Sequence, residues 1–168
     1  LDRYRVPPTP KAEGQFVVGM SGRMMPVKDF QTLIQAFRLF LDENPGLDAR
    51  LELAGDGPMR GELEFLATEQ GLAEKITFLG LMPFGEMVPR MRSWDVFVLS
   101  THGETQPLAL MEAMACGLPC LATAAPGVVD IMTEGENGML FEVGDKTRLC
   151  LLLKTCLLYT SPSPRDRG

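Results

Sequence analysis

Short apolar runs with strand character alternate along this chain with longer segments whose apolar residues recur at helical spacing, and no other feature restricts the fold as strongly. The runs lie at 16–20 (FVVGM), 50–54 (RLELA), 76–79 (ITFL), 94–99 (WDVFVL), 119–123 (PCLAT) and 138–143 (GMLFEV). Phe30, Leu33, Ile34, Phe37, Phe40 and Leu41 predict a helix with one apolar face, stopped by Asn44-Pro45-Gly46. Further helices are expected over 59–70, 83–91 and 108–118, from Pro126-Gly127 to Met132, and from Asp145 onward. Strands separated by helices with short connections pair through right-handed crossovers, which build a parallel sheet. The expected fold is α/β: a Rossmann-like parallel sheet with helices on both faces and ligand loops at the C-terminal edge of its strands.

The chemistry-bearing residues fall at that edge. The first strand ends in a Ser21-Gly22-Arg23 turn with Lys28 close behind, and two cations there suit a diphosphate. The fourth strand delivers the chain to STHGETQPLALMEAMACGLPC (100–120), which sets Glu104 and Glu112 around a helix start. Pro107 fits the first helical turn, and the backbone N–H groups around Thr105, Gln106, Pro107 and Leu108, proline excepted, offer an anion site. The helix beginning at Leu108 has almost no polar face and is expected to be mostly buried, so Glu112 within it requires donors; sugar hydroxyls are suitable. Phosphate beside hydroxyls describes a nucleoside diphosphate. The same residues also read as solvated loop charges, with Glu104 a surface acid and Glu112 facing solvent.

Composition narrows the partners. A formal charge of −6 with no lysine-arginine cluster argues against nucleic acid, and no run is apolar enough to span a membrane. No signal peptide is visible, so a cytoplasmic protein is expected. Cys116, Cys120, Cys150 and Cys156 lack paired CxxC spacing and histidine support, so they read as reduced thiols and no metal is expected. Gly55-Asp56-Gly57-Pro58 lacks a P-loop lysine and reads as a structural turn.

Taken in order, the motifs resemble the C-terminal, donor-binding half of retaining GT-B glycosyltransferases of the large family 4 group. The pieces are a linker with Tyr4-x-x-Pro7, the Gly22-Arg23 turn, Lys28, the 55–58 turn, Phe78-Leu79-Gly80, the glutamates Glu104 and Glu112, Glu112-Ala113-Met114-Ala115, Gly117-Leu118-Pro119 and Asn137-Gly138. The resemblance implies one half of a GT-B architecture and a nucleoside-diphosphate sugar as donor, with neither metal nor cofactor. It implies that Arg23 and Lys28 bind the diphosphate and that Glu112 binds the ribose hydroxyls. Glu104 would lie near the donor sugar, the backbone of Thr105, Gln106, Pro107 and Leu108 at the distal phosphate, and Gly22, Leu81 and Met82 around the rest of the nucleotide. Arg23, Lys28 and Glu104 are thus the expected catalytic residues. The acceptor, a sugar, lipid or small molecule, would be held by an absent N-terminal domain, with peripheral membrane contact through that domain if it is a lipid.

Two departures bear on the sugar: Thr105-Gln106 stands where the family often has Gly-Phe, and Asp130 where a glutamate is usual. On this basis residues 1–14 are an interdomain linker and 15–155 a truncated donor-binding domain. Residues 156–168 read as translated sequencing-adapter sequence, because CLLYTSPSPRD matches one translation of a common transposase adapter and leaves the helical spacing. A non-catalytic nucleotide-sugar module and, further off, a nucleotide-sugar epimerase are the competing readings.

Overall fold

The computed structural model describes residues 2–160. The chain forms β1 (Phe16–Ser21), α1 (Phe30–Glu43), β2 (Ala49–Ala54), α2 (Arg60–Glu69), β3 (Ile76–Gly80), α3 (Phe84–Arg92), β4 (Val96–Leu99), α4 (Leu108–Ala115), β5 (Cys120–Thr123), β6 (Met139–Phe141) and α5 (Lys146–Thr160). The six strands make one sheet in the order β3-β2-β1-β4-β5-β6, and every pair is parallel. Strand order reverses between β1 and β4, and the crevice outside the strand ends at such a reversal is where open α/β sheets take ligands.

α1 buries the face its spacing predicts. Phe30, Leu33, Ile34, Phe37 and Phe40 are fully buried, each contributing about 1.5–3 kcal/mol of apolar transfer. Asp29 starts this helix by accepting from the Thr32 amide.

Four expectations need correction. β4 begins at Val96, not Trp94: the indole ring packs over Gly19, where a Cβ would lie 2.0 Å from Trp94 Cδ2, and Asp95 N–H already reaches the Val17 carbonyl. α4 stops at Ala115 rather than 118, because Gly117 takes φ +77° and the Gly117 and Leu118 amides fold back onto Met114 and Ala113. No helix forms over 127–132; Gly127, at φ +86°, breaks the segment into successive turns. The final helix, capped by Asp145 through the Arg148 amide, does not lose its spacing at 156. Leu149, Leu152, Leu153 and Cys156 are buried, with Leu157 packed against the core, so one helical face continues to 157, while Leu158 and Tyr159 stand 79% and 85% exposed. The rest of the expected adapter segment, 161–168, lies outside the described residues.

The N-terminal segment lies along α3. Thr9 N–H donates to the Pro89 carbonyl (2.9 Å), Arg92 donates to the Tyr4 carbonyl (2.6 Å) and Lys11 pairs with Asp95 (2.6 Å).

Candidate functional site

The turns following β1 and β2 are joined. Gly22 N–H donates to the Ala54 carbonyl and Met24 N–H to that of Asp56. Glycine is needed at 55, since a Cβ there would stand 2.0 Å from the Gly22 carbonyl oxygen. Asp56 caps its own turn by accepting from Gly57 N–H and from Arg60, and it also lines the cavity above.

Above these turns lies a cavity of about 360 Å³, within the size range of small-ligand pockets. Of the expected site residues, Gly22, Arg23, Leu81, Met82 and Glu112 line it. Arg23 comes from the end of β1, Leu81 and Met82 follow β3, and Glu112 projects from α4, so one cavity collects residues from three separate elements. Phe84 also lines it, and Arg3 stands over the Phe84 ring at 5.2 Å from the centroid. Neither was expected: an aromatic starting a short helix and an arginine in an aperiodic segment carry no spacing signal.

Glu112 accepts no hydrogen bond from any described side chain. Burial raises its pKa above the usual glutamate value, and the Arg3 charge opposes that rise. Glu112 is half-buried, so its carboxylate oxygens are partly desolvated and free of donors among the described residues, open to donors from a ligand.

Lys28 and Glu104 do not line the cavity. They form an ion pair beside it, the Lys28 side chain 21% and the Glu104 side chain 7% exposed. The lysine stem runs past Gly22, 3.7 Å from where a Cβ would be, so the pair adjoins the Arg23 turn. Glu104 is held from behind: its N–H donates to the Pro126 carbonyl, and a Cβ on Gly127 would fall 1.8 Å from the Glu104 carbonyl oxygen. The Pro126-Gly127 segment, expected as a helix start, is thus the seat of the Glu104 loop.

The expected anion site at the start of α4 is smaller than foreseen. The Thr105 and Gln106 amides donate to no described group, but Leu108 N–H turns back onto the Gln106 carbonyl (2.8 Å). Thr105, Gln106 and Leu108 are exposed and Pro107 is buried beneath them. α4 itself is not mostly buried: Leu110 and Ala113 are, while Leu108 and Met111 are 55% and 46% exposed.

All four cysteines are free. Burial pushes the Cys120 thiol up to about 12 and those of Cys150 and Cys156 to about 11. Among the described residues no cluster of three or more His, Cys, Asp or Glu could hold a metal ion, and no helix is long and apolar enough to cross a membrane.

A family model described as "Glycosyl transferases group 1" matches residues 5–160. The N-acetyl-alpha-D-glucosaminyl L-malate synthase of Bacillus anthracis is 35% identical over 121 residues, 72% of this chain and 30% of that protein. The D-inositol 3-phosphate glycosyltransferase of Stackebrandtia nassauensis is 33% identical over 138 residues, 78% of this chain and 31% of that protein. The chain therefore spans about a third of the length of the curated relatives it matches. Among solved structures, Anabaena Alr3699/HepE in complex with UDP and glucose superposes with a TM-score of 0.76 at 28% identity, over 86% of this chain and 39% of that one.

Proposed function

The chain belongs to the glycosyl transferases group 1 family, and on that premise we propose that it is the donor half of a retaining glycosyltransferase, binding a nucleoside-diphosphate sugar for transfer to an acceptor held outside this chain. The observation that carries this reading is the cavity in which Arg23 and a partnerless Glu112 share the walls, beside the Lys28–Glu104 pair. Similarity to Alr3699/HepE in complex with UDP and glucose supports a sugar nucleotide as the ligand class.

In this reading the Glu112 carboxylate accepts from the ribose hydroxyls, and Arg23 and Lys28 meet the diphosphate. The exposed apolar surfaces of Leu81 and Phe84 flank the base. When the bond from the anomeric carbon to phosphate oxygen breaks, negative charge gathers on the departing diphosphate. Arg23 and Lys28, with the Thr105 and Gln106 amides, are positioned around that charge and stabilise it electrostatically. The two cations supply this role without a metal. Retention of configuration follows if the acceptor attacks from the face the phosphate leaves, and Glu104 then lies near the sugar.

The test is calorimetric titration of UDP, GDP and ADP into the folded chain, with and without EDTA, alongside Glu112→Ala and the double variant Arg23→Ala/Lys28→Ala. The reading expects one nucleotide to bind, both variants to weaken it and EDTA to change nothing. A folded parent that binds none of the three refutes it.

A further inference from the structure

Buried polar side chains are few in this fold, and nearly all of them meet at one place. Asp29, Thr32, Ser93, Ser100, Thr101 and Thr123 are buried, and all but Ser93 belong to one hydrogen-bonded group between β1, β4 and β5. Three consecutive residues after β4 hold the short segment that carries Lys28. The Ser100 hydroxyl donates to the Asp29 carbonyl (2.8 Å) and the His102 N–H to the Val27 carbonyl (2.8 Å). The Thr101 hydroxyl lies 3.2 Å from that Val27 oxygen and 2.9 Å from the Gly103 carbonyl, and it accepts from Gly103 N–H.

The residues on either side of Lys28 are therefore tied to the strand end that leads to Glu104. Lys28 then closes a ring by pairing its ammonium with the Glu104 carboxylate. Three further bonds stiffen the ring. Thr123 clamps Thr101 from β5, accepting from its N–H (3.0 Å) and donating to its carbonyl. Asp29, in the left-handed region at φ 42°, is fixed by the Thr32 hydroxyl at 2.6 Å.

A surface ion pair between two loops needs no such support. Hydroxyls buried at a strand end have to be satisfied locally, and here Ser100 and Thr101 spend theirs on backbone beside Lys28 and Glu104 while Thr123 spends its on Thr101. We propose that Ser100 and Thr101 are positioning residues: Ser100 by holding the Asp29 carbonyl and Thr101 by bridging the Val27 and Gly103 carbonyls, they set the Lys28 ammonium at the junction of the diphosphate and sugar subsites. This rests on the donor-site reading above. It adds that nucleotide affinity depends on side chains that never touch the nucleotide, and that for Ser100 this dependence runs through Lys28 alone.

The experiment compares UDP with uridine, which has the base and ribose but no phosphate, each titrated into the parent, Ser100→Ala, Thr101→Val, Thr101→Ser and Lys28→Ala. GDP or ADP and its nucleoside replace them if either is the preferred nucleotide. Ser100→Ala and Thr101→Val are expected to weaken UDP about tenfold, the scale of one lost buried hydrogen bond, and to leave uridine unchanged. Thr101→Ser, which keeps the hydroxyl, is expected to restore UDP affinity. Combined with Lys28→Ala, Ser100→Ala should weaken UDP no further than Lys28→Ala does alone.

Equal losses for UDP and uridine, or losses that multiply in the double variant, overturn the proposal, since general loosening of the fold produces both. Unchanged UDP affinity in Ser100→Ala and Thr101→Val, with Lys28→Ala weakened, overturns it while leaving the donor site standing. A parent that binds no nucleotide overturns the donor-site reading itself, and this inference with it. If Thr101→Val does not fold, Ser100→Ala decides.

Discussion

Replacing Glu112 with glutamine separates two quantities that usually fall together in an active-site variant. In the free chain the carboxylate is partly desolvated and its pKa lies above the ordinary value, so the folded state binds a proton more readily than the unfolded one. Stability then falls as pH rises from the unfolded pKa through the raised folded one, and above that window the ionised carboxylate is a standing penalty. Below the unfolded pKa both states are protonated and the penalty vanishes. Glutamine keeps the shape and removes the charge, so Glu112→Gln should melt higher than the parent at pH 7 and nearly level with it at pH 4.

Nucleotide binding moves the other way. A bond to a charged group contributes about 1.5–3 kcal/mol and a neutral one about 0.5–1.5 kcal/mol. Two ribose hydroxyls donating to glutamine instead of carboxylate should therefore cost about 2 kcal/mol, or about 30-fold in Kd. Because ligand selects the ionised form, the parent should also release a proton on binding as pH falls into the raised window, losing about tenfold in affinity per unit below it. Calorimetry in buffers of different ionisation enthalpy counts that proton, and Glu112→Gln should show none. A variant that melts lower at pH 7, or binds as tightly as the parent, refutes the account of Glu112 as an unpartnered carboxylate waiting for donors.

Three other outcomes follow from the geometry. Gly127→Ala puts a Cβ 1.8 Å from the Glu104 carbonyl oxygen at φ +86°, so denaturant unfolding should show a loss of about 2–4 kcal/mol and nucleotide affinity should drop with it. Gly19→Ala meets the Trp94 ring far from the cavity; it should lose about 1–3 kcal/mol while variants still folded bind nucleotide normally. With thiol pKa values of about 12 for Cys120 and about 11 for Cys150 and Cys156, thiol titration of the folded chain at pH 8 should modify the half-buried Cys116 first and the other three only on unfolding.

What could be read from the residues divides along physical lines. Periodicity found the sheet and the buried face of α1, because burial of Phe30 through Phe40 is a local property of spacing. Arg23 at a strand end and Glu112 in the helix after β4 could be placed from the chain alone, whereas Leu81 and Met82 came only from the family resemblance, and all four line one cavity. α4 misled because an apolar composition says nothing about which neighbours are there to cover it, and Leu108 and Met111 are left about half exposed here. Pro126-Gly127 looked like a helix start, but its conformation is dictated by the Glu104 loop resting against it, a contact spanning many residues of sequence. The hydroxyls of Ser100 and Thr101 gave no signal for the same reason: their partners, Val27 and Asp29, lie on another strand's loop.

The packing of Trp94 on Gly19 also decides how this protein can be watched. Trp94 is the only tryptophan, it is buried, and its indole N–H donates to Glu52 at 2.8 Å. It sits before the N-terminal end of β4, while the cavity opens beyond the other end. Its emission should shift on global unfolding and stay constant when the cavity fills, so fluorescence melts of this chain report folding free of any signal from the ligand itself.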